Sequence, residues 1–221
     1  MSVLETLEIE TGPQPTATVI WLHGLGADGY DFEPIVPELG LPDTLPVRFV
    51  FPHAPMRPVT INGGAVMRAW YDIVSLEGVR REDDAGVRAS QESVEALIAS
   101  ERARGVPASR LVLAGFSQGG AIALQTGLRH ADRLAGIMAL STYLPLASTL
   151  TAEASAANRE VPIFMAHGRD DSLIPIERAA ISRDVLRKAG YKVEWQDYAM
   201  QHAVCREEID DVAGWLRRVL T

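Results

Sequence analysis

The apolar residues of this chain fall into short continuous runs that are separated by longer stretches of helical periodicity. The continuous runs are typical of strands buried in a parallel sheet, and they lie at residues 17–22, 47–51, 111–114, 134–140 and 161–166. Residues 6–10 and 192–198 instead alternate between apolar and polar side chains, which is typical of strands at a sheet edge. The pattern therefore predicts a sheet with buried inner strands and half-exposed edges.

Amphipathic stretches lie between these runs. Apolar residues recur at helical spacing within 87–98, 176–188 and 207–220, residues 121–128 are apolar around most of a helical circumference, and shorter helices are predicted within 31–39 and 151–157. Strands and helices alternate throughout. This alternation predicts an α/β fold in which a mostly parallel sheet carries helices on both faces and is connected by right-handed crossovers.

The long segment from residue 52 to residue 85, here called the flap segment, interrupts this regular pattern. It contains three prolines near its start, an Asn-Gly-Gly turn at 62–64 and the aromatic pair Trp70 and Tyr71. A connection of this length is usually functional or disordered, and its apolar middle favours packing over disorder. We therefore predict an irregular but packed flap on a single domain that spans residues 1–221.

A serine lies at the apex of a predicted strand-to-helix turn. Ser117 is flanked by Gly115 and Gly119, which matches the G-x-S-x-G nucleophile elbow. The glycines are expected because strand and helix approach closely in such a turn, and the helix then points its amino terminus at the serine. A bare pentapeptide of this kind is equally compatible with a glycine-rich turn that happens to hold a serine, so the remaining sequence must decide.

Composition and charge limit the class of protein. The chain has 221 residues, 47% of them hydrophobic, and a formal net charge of −8, which argues against partners such as nucleic acid or anionic lipid. A lone cysteine, Cys205, cannot form an internal disulfide, and residues 1–12 lack the basic residues of a secretory signal. The uncharged run at 134–152 is long enough to raise the question of a membrane span, but polar residues interrupt it. We expect a cytoplasmic protein without stable membrane insertion.

A serine nucleophile requires a general base, and the chain contains five histidines. In the fold where this elbow is found, the triad runs Ser, Asp or Glu, then His, which eliminates His23 and His53. His130 follows the elbow helix, where it complements the helix dipole, and His167 precedes the acidic residues that it should follow. His202 remains, in a loop just beyond the last predicted strand.

Two neighbouring aspartates, Asp170 and Asp171, follow the predicted strand at 161–166. One is expected to accept the N–H of His202 and the other to be a solvated turn residue. The pattern alone does not choose between them.

Two backbone amides are predicted to form an oxyanion hole. This fold takes one donor from the residue after the nucleophile, Gln118, and the other from a loop after an earlier strand. The second donor is assigned to Leu25, because Gly24 and Gly26 flank it in the glycine-rich loop 23–29. We assign no role to the side chain at either position, and this chemistry needs no metal or cofactor.

With these elements in place, the chain resembles the carboxylesterase, lysophospholipase and acyl-protein thioesterase family of small α/β-hydrolases over nearly its whole length. The resemblance is carried by residues 19–26, 58–64, 70–73, 114–120, 167–168, Asp171 and Pro175. The Asn-Gly-Gly loop and the Tyr-Asp-Ile segment are most similar to the bacterial carboxylesterase branch.

The resemblance has implications for individual residues. The aspartate of the family's His-Gly-x-x-Asp pattern falls on Asp171, which selects it over its neighbour. Ile73, Leu76, Tyr143 and Leu173 are implied to line the acyl site, and some thioesterase relatives carry tryptophan at the position of Tyr143. Weak homodimers are also common in the family.

The sequence thus predicts a serine carboxylesterase that hydrolyses short- to medium-chain acyl esters, small-molecule or lipid-like, through an acyl-enzyme at Ser117. An acyl-protein thioesterase or a lysophospholipase is the alternative within the same chemistry. A non-catalytic binding protein on a hydrolase fold should lack a triad or oxyanion element, yet none is missing here. Chemistry of the dienelactone hydrolase type would require a cysteine at the elbow, and Ser117 at that position argues against it.

Overall fold

The computed structural model describes residues 4–74 and 82–221 of the chain. Its strands are β1 (Thr6–Glu10), β2 (Ala17–Leu22), β3 (Val47–Pro52), β4 (Met56–Val59), β5 (Ala65–Arg68), β6 (Leu111–Phe116), β7 (Gly136–Leu140), β8 (Ile163–Gly168) and β9 (Val193–Tyr198). Its helices are α1 (Ile35–Glu38), α2 (Asp84–Ala103), α3 (Gln118–Arg129), α4 (Leu150–Glu153), α5 (Ile176–Lys188) and α6 (Arg206–Leu220).

Seven of these strands form the central sheet, in the order β1-β3-β2-β6-β7-β8-β9. Strand β1 pairs antiparallel with β3, and the other neighbours in the sheet pair in parallel. The inner strands are almost completely buried, whereas β9 alternates between buried and exposed residues at the edge of the sheet. The predicted α/β fold and both predicted edge strands are confirmed.

The two faces of the sheet carry separate hydrophobic clusters. Alternate residues of β6 divide between them, because side chains along a strand point to opposite faces: Leu113 packs with residues of α2, α3 and α5, and Val112 packs with residues of α1 and α6. Helices therefore cover both faces, as predicted. Among the residues that the structure describes, no helix is both long enough and apolar enough to cross a membrane.

Helix boundaries agree with the sequence pattern for the long helices and differ for the shortest. The segment predicted as a helix at 176–188 is α5, residue for residue. The helix predicted within 31–39 contracts to the single turn of α1, where Pro37 lacks a backbone donor and Gly40 follows with a φ of 51°.

The flap segment is more regular than its sequence indicates. Strands β4 and β5 pair antiparallel and are joined by a turn at residues 60–64, so the prediction of an irregular segment was wrong for this part. Four-residue strands are too short to show a period, and Pro58 lies within one of them. Trp70 and Tyr71 are buried, so this part of the segment is packed as predicted. Residues 75–81 lie outside the described part.

The turn between β6 and α3 is formed by a serine with a positive φ, which non-glycine residues rarely adopt: Ser117 has a φ of 54° and a ψ of −121°. A side chain at Gly119 would collide with the carbonyl oxygens of Leu22 and His23 on the neighbouring strand and loop. A side chain at Gly115 would collide with the backbone of Gly119. The close approach expected of a nucleophile elbow is therefore present.

The elbow contact predicts opposite effects for two glycine-to-alanine substitutions in helices. Gly119→Ala should lower the free energy of unfolding by about 3 kcal/mol, because a methyl group against backbone atoms cannot be accommodated by a side-chain rotation. Gly214→Ala is the matched control, since its new methyl group meets nothing closer than 3.7 Å, and it should raise stability by about 0.5–1 kcal/mol. Urea unfolding of both variants measures the difference. Equal stabilities would show that the elbow is not constrained in this way.

Candidate active site

Three side chains from separate loops meet at the carboxyl end of the sheet. Ser117 lies between β6 and α3, Asp171 follows β8, and His202 follows β9. Nε2 of His202 lies 2.9 Å from Oγ of Ser117, and Nδ1 of His202 lies 2.6 Å from Oδ2 of Asp171. The geometry is that of a hydrogen-bonded chain in which Nδ1 carries a proton and Nε2 is left to accept one from the serine.

The carboxylate of Asp171 is buried within a set of donors. Its Oδ1 accepts hydrogen bonds from the backbone N–H groups of Leu173, at 2.9 Å, and Ile174, at 2.8 Å. Its Oδ2 is 3.3 Å from Nε2 of His167, in addition to the contact with His202. The loop after β8 therefore fixes Oδ1 of the carboxylate through two backbone N–H groups, and His202 contacts Oδ2 from the loop after β9.

Asp170 occupies a different environment, although it is adjacent in sequence. Its side chain is exposed, and its backbone N–H donates to the carbonyl of Met200. The neighbouring Arg169 pairs with Asp197 rather than with either aspartate. The structure thus brings Asp171 to the histidine and leaves Asp170 in solvent, a distinction that periodicity alone did not make.

The glycine-rich loop after β2 is held by the ring of His23. Nε2 of this ring accepts the backbone N–H of Ala54 at 3.0 Å, so Nδ1 carries the proton and donates to the carbonyl of Gly24 at 2.7 Å. Burial lowers the pKa of His23 to about 4, which keeps the ring neutral. Gly26 N–H donates to the carbonyl of Arg68 on β5. The loop is therefore anchored on both sides of Leu25.

Leu25 and Gln118 line the same cavity as Ser117. Within residues 4–74 and 82–221, neither of their backbone amides donates to a protein acceptor. Two unused donors beside a serine hydroxyl can bind an oxygen that acquires negative charge.

The side chain of Gln118 has a role that sequence reasoning missed. Its Oε1 accepts the backbone N–H of Trp70, and its Nε2 donates to the carbonyl of Tyr71, each at 2.7 Å. Nε1 of Trp70 in turn donates to the carbonyl of His23 at 2.9 Å. The aromatic pair at 70–71 was visible in the sequence, but its backbone partners were not. These bonds join the flap segment to both the elbow and the glycine-rich loop.

A cavity of about 380 Å³ opens above Ser117. It includes three of the four residues that the family resemblance places at the acyl site, Ile73, Tyr143 and Leu173, whereas the fourth, Leu76, lies outside the described residues. The full lining is Gly24, Leu25, Ala27, Asp31, Ile61, Asn62, Tyr71, Ile73, Phe116, Ser117, Gln118, Tyr143, Leu173, Ile174, Arg178 and His202. Sequence reasoning did not anticipate the two charged members, Asp31 and Arg178.

In the described part of the chain, no group of three or more His, Cys, Asp or Glu side chains could hold a metal ion.

Comparison with known proteins identifies the family. A family model described as Phospholipase/Carboxylesterase matches residues 5–220. The chain belongs to this family. As a member of the phospholipase/carboxylesterase family it is a serine hydrolase, and the resemblance inferred from its motifs is confirmed.

Relatives in this family carry the name of the alternative activity. Acyl-protein thioesterase 1 of Neurospora crassa is 43% identical over 211 residues, which cover 91% of this chain and 86% of the relative. Acyl-protein thioesterase 1 of Gibberella zeae is 39% identical over 216 residues, covering 94% and 92%. The crystal structure of Zea mays acyl-protein thioesterase 2 superposes with a TM-score of 0.87 at 30% identity, covering 98% of this chain and 99% of that one.

The buried neutral state of His23 predicts how stability changes with pH. Its pKa is about 4 in the folded protein, against 6.5 for an unperturbed histidine, so between these values the unfolded chain binds more protons than the folded one. Stability should therefore fall as the pH drops through this window. In His23→Gln the fall should be shallower by up to about 1.4 kcal/mol per pH unit, which denaturant titrations between pH 4 and 7 measure. Superimposable slopes would show that His23 is not held neutral.

Proposed function

We propose that this protein hydrolyses acyl esters through an acyl-enzyme formed on Ser117. The observation that carries the proposal is the unbroken hydrogen-bonded chain from Ser117 through His202 to Asp171. A serine hydroxyl is a weak nucleophile, and a neutral imidazole within hydrogen-bond reach provides the activation that it needs.

The proposed reaction has two halves with the same proton movements. Oγ of Ser117 attacks the acyl carbonyl while its proton passes to Nε2 of His202, and that proton then goes to the oxygen of the departing alcohol. In the second half, water loses a proton to Nε2 and attacks the acyl carbon, and the proton returns to Oγ as the acid leaves. The carboxylate of Asp171 stabilises the imidazolium in both halves through its 2.6 Å contact with Nδ1.

Leu25 and Gln118 are proposed to stabilise the tetrahedral intermediate through their backbone amides. Both amides are free of protein acceptors within the described residues, and the loops that carry them are anchored by His23 and by the side chain of Gln118. Donors fixed in advance of the reaction need no reorganisation when charge develops on the oxygen, and each such donor is worth about 10²–10³ in kcat.

The acyl group is proposed to occupy the apolar part of the cavity, against Ile73, Tyr143 and Leu173. A cavity of about 380 Å³ lies near the lower end of the range of about 300–1,000 Å³ for ligand sites. This size favours short to medium acyl chains.

Hydrolysis of acyl thioesters on proteins is a second candidate function. It is favoured by the names of relatives that are 38–43% identical to this chain and are acyl-protein thioesterases. The attack on the acyl carbonyl is the same, and the leaving group differs. The ratio of kcat/KM for an oxygen ester and a thioester of one acyl group, corrected for their uncatalysed rates, decides between the two functions.

A fluorophosphonate probe provides the experiment for the proposed acyl-enzyme. The wild type should be labelled stoichiometrically, the adduct should map to Ser117, and hydrolysis should stop as labelling proceeds. Ser117→Ala should remain unlabelled. Labelling at another serine, or full turnover after modification of Ser117, would overturn the proposal.

Asp171 and Asp170 form a matched pair for testing the orienting role of the acid. Asp171→Asn should lower kcat by about 10⁴, because an amide in this position no longer holds the proton on Nδ1 of His202. Asp170→Asn, next to it in the same loop but exposed, should change kcat by no more than about twofold. Steady-state kinetics with one short-chain ester compare the two variants. A large loss in the Asp170 variant would reverse the assignment.

The acyl site predicts a chain-length dependence that specific substitutions reduce. Each methylene buried from the substrate contributes about 0.8 kcal/mol, so kcat/KM should rise up to about fourfold per carbon until the cavity is filled. Ile73→Ser and Leu173→Ser should flatten this slope. Ile181→Ser replaces an equally apolar and more exposed residue of α5 that is not among the cavity residues, and it should leave the slope unchanged. Parallel slopes in all four proteins would remove Ile73 and Leu173 from the acyl site.

A further inference from the structure

We propose that Arg178 makes this site selective for acyl esters or thioesters that carry an anionic group near the bond to be cleaved. The inference rests on the proposed hydrolysis at Ser117 and adds a substrate class to it. The anionic group is a carboxylate or another anion, and it is carried either by the acyl part of the substrate or by the leaving group.

The guanidinium of Arg178 is held in a defined position at the cavity. Arg178 lies in the first turn of α5, and its Cζ is 3.2 Å from the centroid of the Tyr143 ring. At this distance the planar group must lie flat on the ring, so its N–H donors point outward from the edge of the stack. The hydroxyl of Tyr143 is hydrogen-bonded to that of Tyr71 at 2.7 Å, which fixes the ring beneath the guanidinium. A stacked guanidinium is a preorganised fork for a carboxylate or phosphate.

Among the described residues, none accepts a hydrogen bond from this guanidinium. Across residues 4–74 and 82–221, no carboxylate forms an ion pair with Arg178, and its side chain donates no hydrogen bond. Arg183, in the next turns of the same helix, provides the contrast. It also stacks on an aromatic ring, that of Trp195 at 4.8 Å, but it pairs with Asp184 at 2.8 Å. A stacked but uncompensated cation in the cavity is therefore available to an anion from outside the chain.

The opposite side of the cavity carries negative charge. Asp31 follows β2 and Arg178 follows β8, on either side of the strand that ends at Ser117. A substrate anion is repelled from the Asp31 side and attracted to the Arg178 side, so the field orients the substrate as well as binding it. In a chain with a net charge of −8, such selectivity requires a local cation of this kind.

Two matched pairs of esters test the proposal. The first pair compares the aryl esters of adipic acid and hexanoic acid, which place a carboxylate or a methyl group at the end of the same acyl chain. The second compares the hexanoyl esters of 4-hydroxybenzoate and of its methyl ester, which place the charge on the leaving group. In each pair, the ratio of kcat/KM for the anionic and neutral esters is measured in the wild type, Arg178→Met, Arg178→Lys and Arg183→Met.

We expect the ratio to fall at least tenfold in Arg178→Met for one of the two pairs, and that pair identifies the part of the substrate that carries the anion. Arg178→Lys should retain part of the preference, because it keeps the charge but loses the fork. Arg183→Met should leave both ratios and both rates unchanged. Raising the ionic strength from about 0.01 M to about 0.5 M should reduce the ratio in the wild type and have little effect in Arg178→Met.

An unchanged ratio in Arg178→Met for both pairs would overturn the proposal, as would a wild-type ratio that does not respond to salt. Neither result would affect the proposed function, which is reported by turnover of the neutral esters in the wild type. Absence of that turnover would instead contradict the acyl-enzyme proposal itself.

Discussion

The close approach of β6 and α3 is the constraint on which the rest of the site depends. Ser117 has a positive φ because the chain must reverse from strand to helix within one residue, and Gly119 lies against the carbonyl groups of Leu22 and His23. This contact fixes the hydroxyl above the sheet. It also brings the amide of Gln118 beside the glycine-rich loop that follows β2.

The parallel sheet then brings the remaining groups together at the carboxyl ends of its strands. Strands β6, β8 and β9 end in the same direction, so the loops that follow them carry Ser117, Asp171 and His202 to a common point. The flap segment is joined to this arrangement by polar contacts rather than by apolar packing alone. The side-chain oxygen of Gln118 accepts the backbone N–H of Trp70, and its side-chain nitrogen donates to the carbonyl of Tyr71. Buried polar groups that are paired in this way fix a single geometry.

Much of this arrangement could be predicted from the sequence, because it follows from periodicity and chain order. The seven strands of the central sheet, α5 and the positions of Ser117 and His202 relative to them are examples. The choice between Asp170 and Asp171 could not be made from periodicity, since both lie in one loop and only burial distinguishes them; the family motif made it. The hairpin of β4 and β5 was missed because four residues are too few to establish a period.

Contacts between residues distant in sequence account for the other omissions. The partners of the Gln118 side chain are backbone atoms 47 and 48 positions away, and no motif encodes them. Arg178 is one of many charged residues in the sequence, and its stacking on Tyr143 depends on where α5 begins relative to β7. Such features require the three-dimensional arrangement.

The central claim is that Ser117, His202 and Asp171 act as one unit, and a double-mutant comparison tests it most directly. Ser117→Ala, His202→Ala and the double variant would be assayed for kcat with one ester after each is shown to unfold cooperatively like the wild type. If the residues act together, each single variant loses roughly 10⁴-fold or more and the double variant loses little beyond either of them. Losses that multiply in the double variant, or a His202→Ala enzyme that retains most of its turnover, would contradict the account.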